Sequence, residues 1–235
     1  MAVTLVHTSD IHIDDEPIQR SDSGLGGLRA VLTAADALAA DILVLAGDTF
    51  DNHRVSAPVL RRTAELLSGA GRPVVVLPGN HDPALADCLF QRAGLADLPH
   101  LHILGVNQPE TIQFPQHDLE ITGRAHRSFN NMPPLRSLDA RTTRWRVVVA
   151  HGHYVPDADW QKESHRAWRI GDADLADLNA DYVALGHWDR ATAAGPGRVQ
   201  AYYSGSPDLA RSINLVHLHQ TEGVTVSRVP LTFEL

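Results

Sequence analysis

The chain has 235 residues, 43% of them hydrophobic and 20% charged, a composition that supports a folded core without staples. A net charge of −8 argues against a protein that coats nucleic acid by bulk charge, and the single cysteine, Cys88, excludes a disulfide framework or a multi-cysteine metal knuckle. The longest apolar runs fall far short of the roughly 20 residues that span a bilayer, and no basic stretch followed by an apolar one opens the chain, so a cytoplasmic protein with no membrane contact is expected.

A β-rich run over 3–8 comes first. Leu25, Leu28, Val31, Leu32, Ala35 and Leu38 then fall at helical spacing and predict a helix over 24–40. The continuous apolar run 42–46 predicts a strand buried on both faces. A helix is predicted over 57–68, with Pro58 in its first turn and Gly69 after its end. A third buried strand follows over 74–77. Strand, helix, strand, helix, strand predicts an α/β sheet with parallel strands. The second half is richer in strands, expected over 102–106, 111–114, 119–123, 145–150, 182–185, 199–203, 213–218 and 223–230, with short helices around 159–167 and 172–178. The stretch 124–144, with Asn130, Asn131, Pro133 and Pro134, is expected to be a long loop.

Polar residues gather where these strands stop. The run 3–8 ends in Ser9-Asp10-Ile11-His12, 42–46 in Gly47-Asp48-Thr49-Phe50-Asp51, and 74–77 in Pro78-Gly79-Asn80-His81-Asp82. The run 145–150 ends in His151-Gly152-His153, and 182–185 in Gly186-His187-Trp188-Asp189. Any one cluster is an ordinary turn. Five of them, each carrying metal-type ligands past the carboxyl end of a strand, point to a bound ligand, because open α/β sheets bind ligands there.

These motifs, in this order, resemble the calcineurin-like metallophosphoesterases. The strings Thr8-Ser9-Asp10-Ile11-His12-Ile13, Gly47-Asp48-Thr49-Phe50-Asp51 and Tyr203-Ser204-Gly205-Ser206-Pro207 are similar to those of the SbcD-like DNA repair exonucleases within that superfamily. The resemblance implies a four-layer α-β-β-α sandwich, two mixed β-sheets flanked by helices, with residues 1–235 as one catalytic domain lacking the capping domain of SbcD-like proteins. It also implies two divalent metal ions, with Asp10 and His12 on the first, Asp48 bridging, and Asn80, His151 and His187 on the second. A bridging water or hydroxide would be the nucleophile that attacks phosphorus. His81 would face the substrate phosphate and serve the leaving group, and Asp51 would pair with His81 and favour its protonated form.

The chain departs from the family at Asp189, where a second histidine is usual. A carboxylate there can still ligate the first metal, and its hard oxygen shifts the preference toward Mn²⁺ or Fe²⁺, with Zn²⁺ as a further candidate. His153 and Trp188 are candidate substrate contacts. Six arginines between Gly123 and Arg146 face one acid, Asp139, and make a local basic island; from it, Arg124 and Arg127 are candidate phosphate contacts, since guanidinium forks match phosphate oxygens. His7, mid-strand, is expected to be a core histidine. The reading is a phosphodiesterase, either nuclease or nucleotide phosphodiesterase, with a phosphate-ester substrate such as a nucleotide or single-stranded nucleic acid. The alternatives are a small-molecule phosphomonoesterase and a non-catalytic scaffold. The sequence names no protein partner.

Overall fold

In the computed structural model, which describes residues 2–15 and 24–233, the chain runs β1 (Val3–Thr8), α1 (Leu25–Ala37), β2 (Ile42–Ala46), α2 (Ala57–Ser68), β3 (Val74–Leu77), β4 (Leu101–Ile103), β5 (Thr111–Phe114), β6 (Leu119–Gly123) and β7 (Trp145–His151). It continues with β8 (His153–Tyr154), β9 (Arg169–Ile170), α3 (Asp172–Ala176), β10 (Tyr182–Gly186), β11 (Thr192–Ala194), β12 (Gln200–Tyr203), α4 (Pro207–Ala210), β13 (Ser212–His219) and β14 (Gly223–Pro230). Two six-stranded sheets result, ordered β14-β13-β1-β2-β3-β4 and β11-β12-β10-β7-β6-β5. In each, four parallel strands are flanked by antiparallel ones, so both sheets are mixed.

The apolar strands have no polar face because both of their faces are covered. Val6, Leu43, Leu45, Val74 and Val76 point outward and meet Leu25, Leu28 and Val31 of α1 and Leu60 and Leu67 of α2. The alternate residues Leu5, Ile42, Val44, Val75 and Leu77 point inward and meet Ile121, Val147, Val149 and Ala184 of the second sheet. On that sheet's far side, Val148, Ala150, Val183 and Leu185 pack on Ile170 and Leu175. The layers are therefore helix, sheet, sheet, helix, as the family resemblance implies.

Most elements match the expected positions to within a few residues. The helix expected over 159–167 is absent. That segment lacks an apolar stripe, and the Glu163 carboxylate accepts the backbone N–H of His165 at 2.9 Å, a local bond that competes with helical pairing. The first helix ends at Ala37, three residues early, with Ala39 in the left-handed region at φ 47°. The short strands β8, β9 and β11 carry too few residues to show a periodicity. The segment 124–144 has no helix or strand. No helix among the described residues is long and apolar enough to cross a membrane.

Candidate metal centre

The parallel strands of both sheets end on one side of the molecule, and their loops meet across the seam between the sheets. The loops after β1 and β2 stay paired beyond the strands: the backbone N–H of Asp10 donates to the Gly47 carbonyl at 3.0 Å, that of His12 to Asp48 at 3.1 Å and that of Ile13 to Thr49 at 2.9 Å. Chain direction changes at the candidate ligands themselves. Asp10, His12 and Asp48 have φ values of 55°, 53° and 50°, and His187 has 107°. Non-glycine residues reach this region rarely, and four of them at one site mark strain held by the surrounding fold.

Asp48 is the shared member of two groups whose ligand atoms lie within 4.8 Å of one another: Asp48 with His12 and His81, and Asp48 with His151 and His187. Asn80 Oδ1 lies 3.1 Å from His151 Nε2, and Asp48 Oδ2 lies 3.0 Å from the same nitrogen. Asp10 closes the other side, with Oδ1 3.9 Å from His12 Nε2, while its carboxylate accepts the backbone N–H of His187 at 2.9 Å. The first sheet thus supplies Asp10, His12, Asp48 and Asn80, and the second supplies His151 and His187.

The donor set fits cations. Burial raises the Asp10 carboxyl above its usual range, against the pull of His151. Burial alone would also raise Asp48, but the adjacent His151 imidazole outweighs it and holds Asp48 well below the usual carboxylate range. Burial would lower His151; the Asp48 carboxylate lifts it instead to about 9. Two buried carboxylates beside one another are costly unless cations neutralise them. His151 donates its Nδ1–H to the Ala46 carbonyl at 2.8 Å, and His12 Nδ1 pairs with Asp51 Oδ1 at 2.8 Å. In both, the far nitrogen is turned toward the centre, the arrangement that metal-ligating histidines use.

That last contact revises the expectation for Asp51. Its carboxylate is 2.8 Å from His12 and 3.9 Å from His81. His81 Nδ1 is bonded instead to the Asp51 backbone carbonyl at 2.6 Å. The left-handed turn at His12 brings its ring edge-on to His81, with centroids 4.9 Å apart, and places it nearer the carboxylate. The His81 side chain is 43% exposed, so it faces the open side of the centre.

Asp189 is not gathered with the other ligands. It is exposed and lines a cavity of about 810 Å³ together with His153, His187, Trp188 and Arg190. After the left-handed step at His187 the chain runs outward, and the Asp189 carbonyl accepts the Ser206 N–H at 3.2 Å. His153 and Trp188 line this cavity as expected substrate contacts would. The basic island is largely spent on internal pairing: Arg127 bonds Glu110 at 2.9 Å, Arg141 bonds Asp181 at 2.9 Å, and Arg146 is buried against Glu120. Arg124 lines a separate cavity of about 550 Å³ beside Arg136 and Asp174. His7 is wholly buried, bonded to the Tyr182 hydroxyl at 2.8 Å, and burial holds it down at about 3.

Two supporting residues escape a reading by motif. His126 ties the sheets together: its backbone N–H donates to Pro78 at 3.2 Å and its Nε2–H to the His151 carbonyl at 2.9 Å. Burial, with His151 nearby, keeps it neutral by lowering it to about 4. Asp82 accepts the backbone N–H groups of Gly79 at 2.7 Å and Phe50 at 3.0 Å, fixing the loops that carry Asn80 and Asp48. Only the position of Asp82 within its motif hinted at such a role, and nothing local marked His126.

Comparison with known proteins follows the same lines. The family model of the calcineurin-like phosphoesterases matches residues 3–207. The SbcD subunit of the SbcCD nuclease from Bacillus subtilis (strain 168) is 26% identical over 275 aligned positions, which cover 97% of this chain and 69% of that protein. Among solved structures, TT1561 of Thermus thermophilus superposes with a TM-score of 0.58 at 12% identity, covering 97% of this chain and 99% of that one. A putative 5'-nucleotidase from Staphylococcus aureus, in complex with alpha-ketoglutarate, superposes with a TM-score of 0.63 at 13% identity, covering all of this chain and 55% of that one.

Proposed function

The chain belongs to the calcineurin-like phosphoesterase family, metal-dependent phosphoester hydrolases, and from that premise we propose that it cleaves phosphodiester bonds in a nucleotide or single-stranded nucleic acid, using two divalent ions. The observation that carries this reading is Asp48, buried and common to two ligand groups, one of which includes the half-exposed His81. Asp10, His12 and Asp48 would hold one ion, and Asp48, Asn80, His151 and His187 the other. Bound ions would supply a nucleophilic water near neutral pH and neutralise charge on the phosphate. Carboxylate and amide oxygens beside imidazoles suit Mn²⁺, with Fe²⁺ and Zn²⁺ as competitors.

The protein's own groups have separate tasks. His81, held by the Asp51 carbonyl through Nδ1, keeps Nε2 available to give a proton to the departing oxygen. Asp51 fixes the His12 ring, and His126 and Asp82 fix the loops. The cavity beside His187, walled by Trp188 and His153, has the volume of a nucleotide-sized pocket. A nuclease relative supports a diester substrate. The second reading, a phosphomonoesterase, is favoured by the 5'-nucleotidase likeness.

The deciding experiment supplies Mn²⁺ and compares bis-p-nitrophenyl phosphate with p-nitrophenyl phosphate. The proposal expects the diester to be cleaved in preference, and His81→Ala to lose about 10²–10⁴-fold in turnover with metal content unchanged. Preferential cleavage of the monoester would overturn the diesterase reading. Absence of turnover with every divalent metal would overturn the catalytic one.

A further inference from the structure

Beside the strand-end centre, and sharing His187 with it, lies a further cluster of titratable side chains. His153, His165 and His187 bring three ring nitrogens within 4.8 Å of one another. Their rings face each other at 4.7 Å for His153 and His165, 5.6 Å for His165 and His187, and 6.0 Å for His153 and His187. His165 Nε2 is buried and has no hydrogen-bond partner among the described residues. A buried ring nitrogen left unsatisfied is uncommon in a native fold and calls for a ligand.

We propose that His153, His165 and His187 form a separate binding site for one divalent transition-metal ion of the zinc class, on the wall of the larger cavity. His187 also belongs to the strand-end group, so this ion would sit beside that centre. Among the described residues, His153 and His165 belong to no other ligand group, and they define the site. Two nitrogens on one tetrahedral Zn²⁺ lie about 3.4 Å apart, so small ring rotations bring these three into register. Three imidazoles favour zinc, copper or nickel over manganese, whereas the carboxylate and amide oxygens of the neighbouring centre make it more accepting of manganese.

The surrounding chain is built to hold the rings in place. His165 lies on the segment between β8 and β9, and those strands pair His153 with Arg169 and Tyr154 with Ile170, pinning both ends of the segment. Trp168 is held by its backbone N–H on Asn131 Oδ1 at 2.7 Å. Glu163 offers a fourth ligand: Oε1 accepts the His165 N–H at 2.9 Å, and Oε2 lies 3.7 Å from His153 Nε2.

Loading has a proton consequence. The Trp188 indole N–H donates to His153 Nδ1 at 3.0 Å, so in the neutral ring the proton sits on Nε2. An ion taken up at Nε2 moves that proton to Nδ1, which can then no longer accept from Trp188. Zinc binding should therefore change tryptophan emission.

The test strips the protein with a chelator, titrates it with Zn²⁺ and reads bound zinc by plasma mass spectrometry alongside tryptophan fluorescence. His165→Ala, on a loop, should bind one Zn²⁺ fewer than the parent and lose the fluorescence change. Asp48→Asn, checked for folding by circular dichroism, should keep both. If the strand-end reading fails, the parent binds a single Zn²⁺ that His165→Ala still removes, and this inference stands. Equal stoichiometry in parent and His165→Ala overturns it, as does a folded Asp48→Asn that binds none. Should Asp48→Asn not fold, His153→Gln replaces it and must lose the same ion as His165→Ala; retention of that ion overturns the proposal.

Discussion

Gly79→Ala places a methyl group where the centre has no room. A Cβ on Gly79 would lie 2.1 Å from Asp48 Oδ1 and 2.6 Å from the Asp48 backbone nitrogen. Rotating the Asp48 side chain relieves only the first contact. Gly79 is not among the left-handed glycines, so space and not dihedral angle demands glycine here. Reaching ordinary contact requires the ends of β2 and β3 to separate by roughly 1 Å. The same movement pulls Asp48 Oδ1 away from the His81 N–H that it accepts at 2.9 Å. Overpacking of this kind costs about 1–3 kcal/mol of stability. A catalytic group displaced by about 1 Å loses on the order of 10²-fold in rate. The assay measures kcat/KM on bis-p-nitrophenyl phosphate with Mn²⁺, together with bound metal and the urea midpoint. Gly69→Ala serves as control, since its added methyl would meet only the Leu66 carbonyl at 3.5 Å. A Gly79→Ala protein with the parent's turnover and metal content would refute the claim that close approach of these two loops positions Asp48.

Three other outcomes are expected. His7 has a folded-state pKa of about 3 against 6.5 when unfolded, so below pH 6.5 the unfolded chain takes up a proton that the fold refuses. Stability is fully present above pH 6.5 and declines as pH falls toward 3; between pH 6.5 and 5 the loss is about 2 kcal/mol, and His7→Asn should show a shallower decline in urea unfolding. Arg146→Met leaves Glu120 buried without its partner and should cost about 3–5 kcal/mol, while adding Glu120→Leu should recover most of that in the same measurement. Asp51→Ala removes the acceptor on His12 Nδ1 and should weaken metal affinity about 10–100-fold by equilibrium dialysis, with the carbonyl that holds His81 still in place; unchanged affinity would count against Asp51 as the His12 support.

Much of this was legible in the chain itself. Runs such as 42–46 and 74–77 state that both sides are covered, and the polar clusters after them state where a ligand sits. What periodicity cannot carry is partner choice between two nearby rings. Asp51 is three residues past Asp48 and thirty before His81, yet its carboxylate goes to His12 because a left-handed backbone step, unmarked by any glycine, swings that ring toward it. The arginines of 124–146 read as free positive charge for a related reason: Glu110, Glu120 and Asp181, which pair with Arg127, Arg146 and Arg141, lie at distant points of the chain. His126 and His165 lie in segments without regular structure, so no pattern announced them. Asp189 follows its motif in spacing, but the turn at His187 takes it away from the other ligands.

The division of the candidate ligands between two sheets would make the centre a rivet as well as a reaction site. The ion that Asp48, Asn80, His151 and His187 would share draws ligands from both sheets, so it would bind tightly only where the two faces are docked, and its binding energy would add to the docking energy. At a free ion concentration about 100 times the dissociation constant, that linkage is worth about 2.7 kcal/mol. Scarcity of metal would then loosen the molecule along its central seam as well as silence it. Conversely, a substitution deep in that seam, at Val147 or Val75, would first be noticed as a poorer appetite for metal.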